Sequence, residues 1–186
     1  MKLVFYSGGL KEHKPLSAML CAPTGSGKTE IITDPFKHNR GVHRPTMVSQ
    51  IGLMRWLLKN HNYEKMHHLL IPDLTVILAG GNSGGETTLG AFMGLIYDGV
   101  ENYHTFHLPE LRLDRPIQFG LVTSITPDIL SERRTQWERN GFLRRFLPVS
   151  YQYTTEHVTS LIEMKLRGIT APREPITTND DSWQES

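Results

Sequence analysis

The sequence predicts a three-layer α/β domain on a mostly parallel central sheet, and three observations carry the prediction. Short apolar runs of buried-strand type occur at residues 16–21, 69–71 and 117–122. Segments with apolar residues at helical spacing alternate with them, at Ile51, Met54, Leu57 and Leu58, then at Leu89, Phe92, Met93, Ile96 and Tyr97. The first apolar run also passes through a glycine-bearing loop straight into Glu30-Ile31-Ile32, which can start a helix. Strands that alternate with helices in this way assemble into parallel sheets. A chain of 186 residues suits one domain with a substantial core. Residues 1–167 are read as that core. Residues 168–186, with Pro172, Pro175, Asn179, Asp180 and Asp181, are read as a disordered tail.

Residues 1–15 hold Ser7-Gly8-Gly9 and the charged run Lys11-Glu12-His13-Lys14, and read as a leading strand or arm. The helix behind the loop should be short, because Pro35 disfavours helix at Asp34 and lacks the next donor. Residues 36–44 read as a polar connection, residues 46–49 as a second strand, and residues 50–60 as an amphipathic helix with Trp56 near its edge. Four glycines within residues 79–88 mark a loop suited to facing a partner or a nucleic-acid strand. A helix follows over residues 89–97, ended by Gly99. The strand at 117–122 becomes polar at Thr123-Ser124-Ile125-Thr126, and a helix begins near Asp128. Val158, Leu161, Ile162 and Leu166 give a last amphipathic helix.

Twenty basic against nineteen acidic residues leave a net charge of +1, which excludes bulk polycation binding to nucleic acid or membrane. A single cysteine, Cys21, excludes an intrachain disulfide and fits a reducing compartment. No apolar run has the length of a membrane span, so the expected location is cytoplasmic, with no membrane partner.

The chemistry starts at Ala22-Pro23-Thr24-Gly25-Ser26-Gly27-Lys28-Thr29, which meets the phosphate-loop pattern G-x-x-x-x-G-K-[ST] except that Ala22 replaces the first glycine. Successive backbone N–H groups in such a loop line an anion-binding concavity. Gly25 and Gly27 permit backbone conformations that a side chain would obstruct. The nucleotide-binding set is therefore Pro23, Thr24, Gly25, Ser26, Gly27, Lys28 and Thr29, with ATP and Mg2+ as ligands. Lys28 would reach the β- and γ-phosphates and the Thr29 hydroxyl would coordinate the magnesium. Asp73, delivered by the apolar run 69–71, is a second magnesium ligand or the N-cap of the helix that follows. Thr126, at the polar strand end, lies where ligands gather in open α/β sheets, or caps its helix. His67, His68, His104 and His107 lack a cysteine pair and read as solvent-facing rather than zinc ligands. Arg133, Arg134, Arg139, Arg144 and Arg145 cluster around Trp137, either solvated or contacting nucleic acid. Arg144-Arg145 differs in lying between Phe142-Leu143 and Phe146-Leu147.

Two family resemblances follow from these motifs. The phosphate loop, Pro45-Thr46, Pro72-Asp73 and Ser124-Ile125-Thr126-Pro127 resemble motifs I, Ia, II and III of superfamily 2 helicases, although no Asp-Glu-x-His/Asp is present. Alternatively Asp73, the polar end at 123–126 and Gly141-Phe142-Leu143-Arg144-Arg145-Phe146 resemble the Walker B, sensor 1 and arginine-finger order of AAA+ P-loop NTPases. The last stretch is similar to a segment of phage and mobile-element helicase-type ATPases. The second resemblance spans residues 16–167 and gives the arginine pair a role. It implies an ATP-hydrolysing, helicase-type motor that works as a homo-oligomer coupled to nucleic acid, with single-stranded DNA favoured. Lys28, Asp73, Thr126 and Arg145 would be its catalytic residues. Arg145 is preferred to Arg144 because the finger directly precedes an aromatic, here Phe146. Trp137 and the arginines of 133–139 would contact the strand. The chain is short of a second motor domain or a helical lid, which implies a bare motor core, a truncated element or one piece of an assembly. A P-loop small-molecule kinase is another reading. An ATP-holding switch is a further one, because Leu74 stands where many ATPases carry a glutamate base.

Overall fold

The computed structural model describes residues 2–10, 13–36, 41–45, 52, 56, 67–78, 100–105 and 108–168. Its strands are β1 (Ser17–Cys21), β2 (Val42–His43), β3 (His68–Ile71), β4 (Val100–Thr105), β5 (Leu108–Ile117), β6 (Gly120–Ile125) and β7 (Phe146–Ser150). Its helices are α1 (Lys2–Ser7), α2 (Lys28–Thr33), α3 (Thr75–Leu78), α4 (Pro127–Arg139) and α5 (Thr155–Leu166). Short 3-10 turns occupy Asp34–Phe36 and Leu143–Arg145. Five strands form one all-parallel sheet in the order β2-β3-β6-β1-β7, while β4 and β5 pair apart from it as an antiparallel ribbon. The α/β class with a parallel central sheet is thus what the sequence predicts.

Parallel strands with helices around them are buried on both faces, so they read as continuous apolar runs. That holds here: β3 and β6 are buried at every position, and β1 at all but its last. Register fixes which strand ends lie level. Ser17 pairs with Phe146 and Cys21 with Ser150, while Cys21 also faces Ile125. The carboxyl ends of β1, β6 and β7 are therefore level. Trp137 of α4, Phe142 and Phe146 form an aromatic chain with ring centroids 5.1 and 4.9 Å apart, fastening α4 to the foot of β7.

Several local expectations are corrected. Residues 2–7 form α1 rather than an extended arm, because the Ser7 hydroxyl donates to Val4 O and accepts from Leu16 N, anchoring the helix to the start of β1. Val4 and Phe5 then bury against Phe36, Leu20 and Val122. The strand expected at 46–49 lies outside the described residues; β2, at Val42–His43, falls within the stretch read as connection, where Val42 pairs with His68. The run at 117–122 is divided, with Ile117 ending β5 and Gly120 opening β6. The β4–β5 ribbon has no counterpart in the expectations. Of the helix expected at 50–60, Gly52 and Trp56 are described and are helical, and the Trp56 ring stacks on His43 at 3.7 Å. The loop at 79–88 and the helix at 89–97 lie outside the described residues. The short helix imposed by Pro35 is present: α2 ends at Thr33 and passes into the 3-10 turn. On α5, Val158, Ile162 and Leu166 are exposed, so these three members of the apolar stripe do not face the core. Among the described residues, no helix is long and apolar enough to cross a membrane.

His68 is the other correction, because it is fully buried rather than solvent-facing. Its Nε2 lies 3.0 Å from Leu16 O and its Nδ1 lies 2.6 Å from Nδ1 of His67. A carbonyl only accepts, so Nε2 carries the proton, and His67 Nδ1–H donates to the bare Nδ1 of His68. Gly120 makes room: a Cβ there would overlap the His68 ring and Leu16 O. Gly8 and Gly41 leave the same room around His67.

Burial, and after it the neighbouring His67, lower His68 from the ordinary 6.5 to about 4. Below pH 6.5 the unfolded chain takes up a proton that the folded chain refuses until about pH 4. Stability is therefore complete above pH 6.5 and declines as pH falls through that window, by up to about 3 kcal/mol. Urea unfolding between pH 7 and 4 should show this slope. His68→Gln, which keeps a donor toward Leu16 O but does not titrate, should start less stable and show a shallower slope. Equal slopes would remove His68 as the cause.

Candidate functional site at the carboxyl edge of the sheet

The loop between β1 and α2 adopts the backbone its glycines allow. Gly25 has φ +76° and Gly27 φ +75°, both left-handed, and Gly27 is the N-cap of α2. Such values cost little only for glycine. Pro23, Thr24 and Gly25 are exposed at the tip, and Ser26 is tucked beneath. The Ser26 hydroxyl donates to Pro23 O at 2.7 Å, bracing the turn from within. Lys28 curls back over the loop, and its ammonium donates to Ala22 O at 2.8 Å and Pro23 O at 2.7 Å. A cation poised over a ring of backbone groups suits recognition of a polyanion. Thr29 is exposed at the first turn of α2.

Two residues later than β3, Asp73 is exposed at the same edge. Its Oδ1 accepts from the Thr75 backbone N–H at 2.9 Å and the Thr75 hydroxyl at 2.7 Å. The carboxylate thus caps α3, one of the two roles expected of it. Leu74 is fully buried, so the position after Asp73 offers no base.

The polar end of β6 divides by function. Thr123 and Ser124 are buried. The Ser124 hydroxyl donates to Pro72 O at 2.6 Å, and Ser124 O accepts from Leu74 N at 2.9 Å, so Ser124 fixes where Asp73 stands. Thr126 is only half-buried and sits at the N-cap position of α4, with Pro127 as the first helical residue. Its hydroxyl makes no capping bond. Of this run Thr126 alone reaches the surface beside the loop.

Arg145 is not at this edge. It precedes Phe146, which pairs with Ser17 at the foot of β1, whereas the loop follows Cys21 at the top. The intervening strand spans about 13 Å. Its Nη1 donates to Gly141 O, and both Arg144 and Arg145 lie over Gly141, whose φ is +74°. Within one chain, Arg145 therefore cannot reach the loop. The remaining arginines are on α4. Arg134 pairs with Glu138 at 2.7 Å and Arg133 with Glu132 at 3.7 Å, both on exposed surface. Trp137 is buried against Phe142, so the stacking surface expected there is absent. No group of three or more His, Cys, Asp or Glu able to hold a metal ion occurs among the described residues.

Sequence reasoning missed Tyr151. Its hydroxyl donates to Ser26 O at 2.7 Å and lies 3.2 Å from the Ser26 hydroxyl, tying β7 to the loop across 125 positions of sequence. Partial burial pushes the phenol above its ordinary range, so it remains a donor at neutral pH. A tyrosine just past a strand is common, and only the fold shows which loop it meets.

Comparison of the chain with protein-family models, curated proteins and solved structures finds no match.

Tyr151→Phe removes the donor to Ser26 and should cost about 1 kcal/mol of unfolding free energy. Amide exchange should quicken at Gly25 to Lys28 while the amides of β1 stay protected. Unchanged exchange in the loop would show that the hydroxyl does not hold it.

Proposed function

We propose that the chain is an ATP-hydrolysing P-loop domain of the AAA+ kind, working in a homo-oligomer and coupled to nucleic acid. One observation carries the reading. A loop with two left-handed glycines and a cation folded over it stands level with Thr126 and Asp73 along one sheet edge. Lys28 would neutralise the terminal phosphates, and Thr29 with Asp73 would hold Mg2+, which would supply positive charge against the phosphates. Asp73 accepts its two capping bonds on Oδ1, so capping and metal binding are compatible. Thr126, with its hydroxyl outside the helix cap, would orient water or sense the γ-phosphate. The strand that carries it lies between β1 and β3, which sets the polar group between loop and carboxylate.

The position of Arg145 supports the homo-oligomer. A finger at the foot of β7 would be out of reach of its own loop and would serve a neighbouring subunit. Nucleic-acid coupling is implied by the AAA+ and helicase-type resemblance. Its surface is not α4 alone, since Arg133 and Arg134 have glutamate partners and Trp137 is buried. The buried Leu74 favours a second reading, a domain that binds ATP and hydrolyses it slowly as a switch.

Hydrolysis of MgATP with and without single-stranded DNA, double-stranded DNA or RNA tests these readings together. Lys28→Ala should lower the rate by roughly 100-fold or more, with the fold intact. A parental rate in that variant would overturn the nucleotide site. Tight ATP binding with slow hydrolysis that no nucleic acid stimulates would favour the switch.

Subunit mixing tests the finger, which is worth about three to five orders of magnitude in rate. Arg145→Ala chains keep the loop and Lys28→Ala chains keep the finger, so a mixture of two inactive proteins should regain activity. No recovery from mixtures that assemble normally would return Arg145 to a structural or nucleic-acid role.

A further inference from the structure

We propose that Tyr151 and Tyr153 form the base-binding flank of the phosphate loop, with the Tyr153 ring as the surface on which the nucleotide base stacks. The inference rests on the nucleotide-site reading above and assigns its second half.

The direction in which a nucleotide lies across the loop follows from sheet order. Asp73 follows β3 and Thr126 follows β6, and both strands lie on one side of β1. Groups able to address magnesium and the terminal phosphate are thus gathered on that side. The base is at the other end of the molecule and leaves toward the opposite flank, where β7 is the neighbour of β1. The residues just past β7 are Tyr151, Gln152 and Tyr153.

Tyr151 packs on the core cluster and its hydroxyl is bonded to Ser26 of the loop. The Tyr153 ring stands against it at 5.3 Å between centroids and 72° between planes, while Tyr153 remains 37% exposed. An edge-to-face pair occupies at most one face of each ring, which leaves Tyr153 a face for a planar ligand. The segment is held beyond the pair as well, because the Thr154 hydroxyl accepts from His157 N at the start of α5. A large aromatic kept half in water beside a polar loop contributes little to the core, but it is suited to a heteroaromatic base. Stacking on such a ring is tolerant of base identity, because every base offers a π face.

The two tyrosines then have separable effects. Titration calorimetry with MgATP and with magnesium tripolyphosphate, which has no base, distinguishes them. Tyr153→Ala should bind ATP roughly tenfold more weakly and tripolyphosphate as well as the parent does. Tyr153→Phe should restore ATP binding, and Tyr151→Phe, acting through the loop, should weaken both ligands. Parental ATP affinity in Tyr153→Ala, or equal loss for both ligands, would overturn the stacking role while leaving the phosphate loop standing. If the parent binds neither ligand, the nucleotide-site reading fails and this proposal fails with it.

Discussion

The placement of β1 between two parallel neighbours governs everything at the functional edge. Its ladder continues past the strand ends, where Ala22 N donates to Ile125 O at 3.2 Å and Tyr151 N to Cys21 O at 3.4 Å. The loop is therefore held by backbone on both flanks before any side chain acts. Neighbouring strands are about 4.8 Å apart, so Asp73, two strands from β1, stands about 10 Å across the edge from the start of the loop. A carboxylate at that separation is too far from Lys28 for a direct ion pair.

The same register decides what the arginines can do. Because β1 and β7 run the same way, residues before β7 are at the foot of the sheet and residues after it are at the top. Arg145 and Tyr151 are close in sequence but serve opposite edges. At the foot Arg145 is tied by its Nη1 to Gly141 O, and at the top Tyr151 braces the loop.

The parallel class was legible because β1, β3 and β6 are buried on both faces and so read as unbroken apolar runs. The loop was legible too, since its glycine positions are dictated by left-handed backbone at Gly25 and Gly27. Less local facts were not. Val42 and His43 become a strand only because His68 and Leu69 lie beside them, a pairing that no property of the two residues announces. Trp137, among five arginines, reads as surface, yet the aromatic chain through Phe142 and Phe146 draws it inward. On α5 the reverse occurs: helical spacing of Val158, Ile162 and Leu166 identifies the helix correctly, but periodicity does not say which face meets the core. Tyr151 and Ser26 meet across 125 positions, which lies beyond any window of sequence.

His68 shows how far such long-range demands reach. A buried imidazole is tolerated only if both ring nitrogens are satisfied. Leu16 O supplies one partner and His67 the other, so the tautomers of two histidines are set by a single carbonyl at the start of β1. Space for the rings comes from glycines on three separate segments, Gly8 after α1, Gly41 before β2 and Gly120 at the start of β6. Each of these reads in the sequence as an ordinary turn residue, but a methyl group at Gly120 would collide with both the His68 ring and the Leu16 carbonyl. The polar pair therefore locks the foot of β3 to the foot of β1 across β6. The buried imidazole that opens β3 thus depends on the residue before β1 and on the glycine that opens β6.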